Sequence, residues 1–111
     1  MAFKSIADVA AAQRAFAAER DWDPFHTPRN LATALSVEAA EVLEHFQWLD
    51  GPLPEEKKDE VALELADVFL YLVRLSDRLG VDLLQAAERK MALNAVKYPA
   101  DFTRGAIRKK S

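Results

Sequence analysis

Apolar residues recur at three- and four-residue intervals through almost the whole chain, and no stretch shows the two-residue alternation of a strand. The pattern is all-α, and its punctuation predicts four helices. Ser5, with Asp8 three residues on, caps a first helix that runs to about Arg20. Asp21-Trp22-Asp23-Pro24-Phe25-His26 reads as a loop. Thr27-Pro28 then offers a cap followed by proline at the first helical position, where its fixed φ and missing N–H do no harm. This second helix should run to about Trp48. Asp50-Gly51-Pro52-Leu53-Pro54 is a turn, and a third helix follows to Leu79, stopped by Gly80. Asp82 caps a fourth helix to about Tyr98, and Pro99 ends it. The rest, with Arg104, Arg108, Lys109 and Lys110, has little to bury and reads as a flexible basic tail from about residue 100.

The third helix is apolar on more than one side. Val61, Leu65, Val68 and Leu72 form one stripe, while Leu63, Leu70 and Val73 lie off it. A helix apolar nearly all round must be covered nearly all round. A single domain of 111 residues rarely encloses one helix completely. The expected architecture is a four-helix bundle over residues 1–111, completed by dimerisation.

Two acid pairs interrupt this apolar pattern deep inside their helices: Glu38-x-x-Glu41 in the second and Glu64-x-x-Asp67 in the third. At this spacing the two carboxylates of a pair share one helix face, with Cβ atoms roughly 5–6 Å apart. Leu35, Val37, Val42 and Leu43 bracket one pair; Leu63, Leu65, Val68 and Leu70 bracket the other. The bland reading is two solvated acidic faces. The functional one is a cation cage between antiparallel helices, because desolvated anions need a compensating charge. Oxygen-only ligands favour Mg²⁺, with Mn²⁺ as substitute, over zinc. Glu55, Glu56, Asp59 and Glu60 differ: they sit at a helix start, where negative charge suits the macrodipole. His45, one turn beyond Glu41, reads as a bystander, since ferritin-like di-iron sites use Glu-x-x-His on two helices.

Composition narrows the field. The chain has no cysteine, which excludes disulfides, thiolate metal sites and cysteine nucleophiles. A net charge of −3 argues against binding a nucleic-acid polymer by bulk electrostatics. The N-terminal residues lead straight into an amphipathic pattern, and the longest apolar patch, around Val68–Val73, is too short to cross a membrane. A cytoplasmic protein is expected.

Other constellations stay open at this level. Trp22 and Trp48 flank the second helix and either fill the core or sandwich a flat ligand such as a base. Tyr71, one turn beyond Asp67, is core packing or a lid. Lys90, Asn94, Lys97 and Tyr98 follow at helical spacing and form either a solvated face or a phosphate-receiving one.

One resemblance covers nearly the whole chain. Ala17-Ala18-Glu19-Arg20-Asp21-Trp22, Phe25-His26 and Pro28-Arg29-Asn30-Leu31 resemble the opening of the dCTP pyrophosphatase branch of the MazG superfamily. The likeness continues through Glu38-x-x-Glu41, Phe46-Gln47-Trp48, Glu64-Leu65-Ala66-Asp67-Val68, Tyr71-Leu72-Val73 and Val81-Asp82-Leu83, to Lys90-Met91, Asn94 and Tyr98-Pro99. It implies an all-α nucleoside triphosphate pyrophosphohydrolase that releases NMP and pyrophosphate, assembled as a homodimer or a homotetramer. It further implies Mg²⁺ held by Glu38, Glu41, Glu64 and Asp67, with Glu38 or Glu41 as general base. Trp22, Trp48 and Tyr71 would form the base pocket; Lys90, Asn94 and Tyr98 would meet sugar or phosphates. Two positions depart from the pattern. Val37 and Ala40 replace glycines that often precede the first two acids. Gln13 stands where animal members have a base-reading histidine, and its amide, able to donate and accept, could read more than one base edge. The alternatives are a broader NTP or dUTP-type hydrolase and a non-catalytic helical module that binds a partner.

Overall fold

In a computed structural model that describes residues 2–107 and 110, the chain is all-helical, with no strand among the described residues. It divides into two compact units, Met1–Gly80 and Val81–Ser111.

The first unit contains α1 (Ile6–Glu19), α2 (Pro28–Glu44) and α3 (Lys58–Leu79). Their starts follow the cap chemistry. The Asp8 N–H donates to Ser5 Oγ at 3.1 Å, and the Asn30 N–H donates to Thr27 Oγ1 at 3.1 Å, with Pro28 in the first turn. Helix α3 is preceded by a 3₁₀ turn at Glu55–Lys57 and ends at Gly80, whose φ of 68° lies in the left-handed region that glycine enters without a Cβ penalty. Helix α2 is shorter than expected. From His45 onward three-residue bonds appear, as in Phe46 N–H to Leu43 O (2.9 Å) and Leu49 N–H to Phe46 O (3.0 Å), with Gln47 N–H sharing Leu43 O (2.9 Å). Tight turns of this kind take up carbonyls that a helix end leaves unpaired.

Both α1 and α2 pack along α3. Val9, Ala10 and Val73 are buried together, with Ile6 and Leu70 packed against them. Leu31, Ala17 and Val61 complete the buried apolar set. That set is small. Leu63, Leu65 and Phe69 remain exposed, in keeping with the all-round apolarity of α3, and Leu43 of α2 is exposed as well.

The second unit contains α4 (Leu83–Lys97) and α5 (Ala100–Thr103). Asp82 caps α4 by accepting from the Gln85 N–H at 3.0 Å. The short α5 falls where the sequence suggested only a tail: Pro99 cannot extend α4, but its carbonyl accepts from Thr103 Oγ1 (2.9 Å) and from the Thr103 N–H (2.9 Å). Arg108 and Lys109 of the expected tail lie outside the described residues.

Candidate active site

The four acids come from the two helices that pack together. Glu38 and Glu41 on α2 are half-buried, as is Glu64 on α3, while Asp67 is exposed. Burial pushes the Glu38 carboxyl above the usual carboxylate range. The adjoining Glu41 carboxyl, through hydrogen bonding and charge, and then the charges of Asp67 and Glu64 push the same way. Glu38 Oε2 and Glu64 Oε2 are both buried without a hydrogen-bond partner. Two desolvated carboxylate oxygens with nothing donating to them fit the requirements of a divalent cation.

His45 makes one contact that its spacing did not predict. Its Nε2 lies 3.1 Å from Glu64 Oε2, without the alignment of a hydrogen bond. Glu60 joins them: among the described residues, His45, Glu60 and Glu64 form a group whose ligand atoms all lie within 4.8 Å of one another. Glu64 is common to this group and the predicted quartet. Sequence reasoning missed the contact because it crosses between helices.

Beside the acids lies a cavity of about 340 Å³, lined by Phe3, Val9, Ala12, Gln13, Phe16, Trp22, His26, Asp67, Leu70, Tyr71 and Arg74. The end of α1 sets Trp22 in this wall. Asp21 adopts a left-handed φ of 56°; its N–H donates to Ala18 O (3.2 Å), and the next N–H, of Trp22, reaches Ala17 O (2.9 Å). This is the Schellman arrangement, with its usual apolar contact supplied by Trp22 meeting Phe16 edge to face at 5.6 Å. A 3₁₀ turn at Asp23–Phe25 then delivers His26.

The loop is pinned to α3 by Arg74, which is only 4% exposed. Its Nε–H donates to His26 Nδ1 at 3.1 Å, and its Nη2–H donates to Asp23 Oδ1 at 2.8 Å. Arg78 adds a bond from Nε–H to the His26 carbonyl at 3.1 Å. Because Nδ1 accepts, the imidazole is neutral with its proton on Nε2. Burial and the Arg74 charge, with a smaller push from Arg78, hold the His26 pKa below its ordinary value against the opposing pull of Asp23.

That shift has a consequence in solution. The unfolded chain takes up the His26 proton before the folded one does, so stability is full above about pH 6.5 and declines as pH falls toward the folded value. Glu38, shifted upward, works in the opposite sense in the carboxylate range. The informative quantity is thus the difference between parent and His26→Gln. Thermal melts from pH 7.5 to 5 should show the parent losing more than the variant; parallel profiles would contradict the assignment.

Of the predicted base-pocket residues, Gln13, Trp22 and Tyr71 meet in the cavity wall, together with Asp67 of the acid quartet. Trp48 is not among them and is 89% exposed. Neither tryptophan fills the core, since Trp22 is also 43% exposed. Lys90 and Asn94 lie on α4 and Tyr98 caps its end, so all three belong to the second unit. Phe3, Phe16, His26 and Arg74 were not anticipated. One signal was available: an arginine within the apolar run Phe69–Leu75 needs a buried partner.

The structure is thus an all-helical protein with acid pairs on two packed helices and an aromatic-walled cavity that Asp67 also lines. Residues 33–109 match the MazG-like family, and the chain belongs to that family. The dCTP pyrophosphatase 1 of Mus musculus is 45% identical over 107 residues, covering 91% of this chain and 63% of that protein. The Homo sapiens dCTP pyrophosphatase 1 is 43% identical over 111 residues, covering 95% and 65% respectively. The chain thus spans just under two thirds of the length of these relatives. A crystal structure of a pyrophosphatase from Archaeoglobus fulgidus matches with a TM-score of 0.81 at 38% identity, covering 89% of this chain and 96% of that one.

Proposed function

We propose that this protein hydrolyses deoxynucleoside triphosphates to the monophosphate and pyrophosphate, clearing dCTP or modified dNTPs. The observation that carries the reading is the double position of Asp67. It lines the cavity and its charge also bears on Glu38, so a base held in the cavity directs its phosphates toward the acids. The naming of the relatives as pyrophosphatases supports the same reaction class.

Glu38, Glu41, Glu64 and Asp67 would hold Mg²⁺, or Mn²⁺ in its place. When bound, the cation supplies neutralising charge for the triphosphate and a more acidic water. Glu38 or Glu41 takes the proton from the attacking water as general base. Trp22 and Tyr71 hold the base by stacking and packing; Lys90, Asn94 and Tyr98 are assigned to sugar or phosphate by the family pattern alone. The test is pyrophosphate release from a dNTP panel under Mg²⁺ titration. Cation-dependent release supports the reading, and a protein that neither binds nor hydrolyses any NTP is instead a helical binding module.

The working form is an oligomer, a dimer or a dimer of dimers, in which a second copy covers the exposed Leu63, Leu65 and Phe69 of α3. Trp48 then reaches a base only through such an assembly or not at all. Sedimentation at micromolar concentration should show no monomer, and a stable folded monomer would defeat this expectation. Among the described residues, no helix is long and apolar enough to cross a membrane; a cytoplasmic site of action remains part of the proposal.

A further inference from the structure

We infer that His45, Glu60 and Glu64 form a second cation site, which shares Glu64 with the acid quartet and takes a transition-metal ion such as Zn²⁺ rather than Mg²⁺. The site concerns a separate ion and stands whether or not the nucleotide reading does.

The placement follows from two four-residue spacings. Glu41 and His45 share a face of α2, whose helical backbone persists at His45 (φ −69°, ψ −21°). Glu60 and Glu64 share a face of α3 in the same way. Because α2 packs along α3, the ligand atoms of His45, Glu60 and Glu64 come within 4.8 Å of one another. Two features separate this group from a solvated acid cluster. One member is an imidazole, and the side chains of His45 and Glu64 are only 15% and 25% exposed. Glu64 Oε2 is also buried with no hydrogen bond. An ordinary His–Glu pair would satisfy that oxygen through an aligned N–H, but at 3.1 Å the alignment is missing. Two ligands about 2.0–2.1 Å from a tetrahedral zinc ion stand about 3.3 Å apart, close to that separation. Glu60 completes the set from the exposed side. Its 3.6 Å pair with Lys57 is more than half exposed at both ends, so little is lost when the carboxylate turns to an ion.

The donor set decides the ion. Mg²⁺ prefers oxygen ligands and gives up its waters reluctantly, which suits the all-oxygen quartet. An imidazole nitrogen suits Zn²⁺ and its transition-metal neighbours, and only the His45 group offers one beside two carboxylates. Three protein ligands leave the fourth tetrahedral position open to water or an anion.

The test uses the full chain, stripped of metal by a chelator and labelled with ¹⁵N at histidine, above neutral pH where a ligating imidazole is unprotonated. The chain has two histidines, and Nδ1 of the other, His26, is already engaged by Arg74. Added Zn²⁺ should move a His45 ring nitrogen to a metal-bound resonance and leave His26 in place; Mg²⁺ in excess should not produce that shift. In calorimetry, His45→Leu and Glu60→Gln should each weaken Zn²⁺ binding by roughly tenfold or more, since loss of even an outer partner of a metal ligand typically costs 10–100-fold. Glu60 is exposed, so Glu60→Gln keeps the fold and decides the matter if His45→Leu does not. Zn²⁺ that binds without moving the His45 ring, or that keeps its affinity in Glu60→Gln, overturns the inference. So does a chain that takes up no Zn²⁺ at micromolar concentration. Pyrophosphate release under Mg²⁺ tests the nucleotide reading separately, and neither result decides the other.

Discussion

Replacing Glu41 or Asp67 with Ala should abolish dNTP turnover while the fold survives. Most inactivating substitutions in small proteins act through stability, so the second half of the expectation carries the weight. Glu38 sits under the combined push of Glu41, Asp67 and Glu64, and one of its oxygens has no donor. Without a cation the cluster is self-repelling, so deleting one carboxylate relieves strain rather than leaving a hole in the core. Asp67 is exposed and Glu41 only half-buried, so little packing is lost. In the absence of Mg²⁺ each variant should therefore melt at or above the temperature of the parent. With Mg²⁺ the parent should gain stability by mass action and the variants should gain less. The paired measurement, turnover and a melt with and without Mg²⁺, separates this from plain unfolding. A variant that still hydrolyses at the parental rate would sink the metal assignment; one that melts far below the parent would show the acids to be structural.

The parts of this molecule that were legible in the sequence are those set by neighbouring residues. Ser5, Thr27-Pro28, Gly80 and Asp82 mark helix ends because a cap is a hydrogen bond between residues three or four apart. The acid pairs were legible for the same reason, since i, i+3 spacing fixes their common face. The end of α2 was not, because the switch to tighter turns after Glu44 changes no residue type that a helix avoids.

Contacts between elements were hidden altogether. His45 meets Glu64 across two helices, and Arg74 reaches His26 and Asp23 from 48 and 51 residues away. Spacing within one helix says nothing about either. Gln13 shows the intermediate case. Its residue type offered a donor and an acceptor, and only the structure shows that the Leu70 carbonyl takes the donor. Trp48 shows the opposite failure: tryptophan type suggests burial, yet this ring stands 89% exposed.

Arg74→Ala should be among the most destabilising single substitutions in the first unit, for a reason that can be apportioned. The arginine is buried and bonds Asp23 at 2.8 Å and His26 at 3.1 Å, with Asp77 a further 3.6 Å contact. Removing one partner of a buried ion pair typically costs about 3–5 kcal/mol, because the other is left uncompensated. Here the cost is lower. Asp23 is 52% exposed and recovers water, and Asp77 keeps its two-point pair with Arg14 at 2.8 and 2.9 Å, which holds its carboxyl below the usual range. What remains is the unpaired His26 Nδ1, the lost packing of a long side chain, and a Trp22–His26 loop no longer tied to α3. Together these come to roughly 2–3 kcal/mol. In a domain of this size, that lowers the melting temperature by about 10–15 °C. Because Trp22 shares the loop, substrate affinity should fall in the fraction that stays folded. A double-mutant cycle with Asp23→Ala isolates the direct bond, with a coupling of about 0.5–3 kcal/mol. Arg74→Ala melting within about 3 °C of the parent, less than 1 kcal/mol at this size, would mean that the loop holds its place without the arginine.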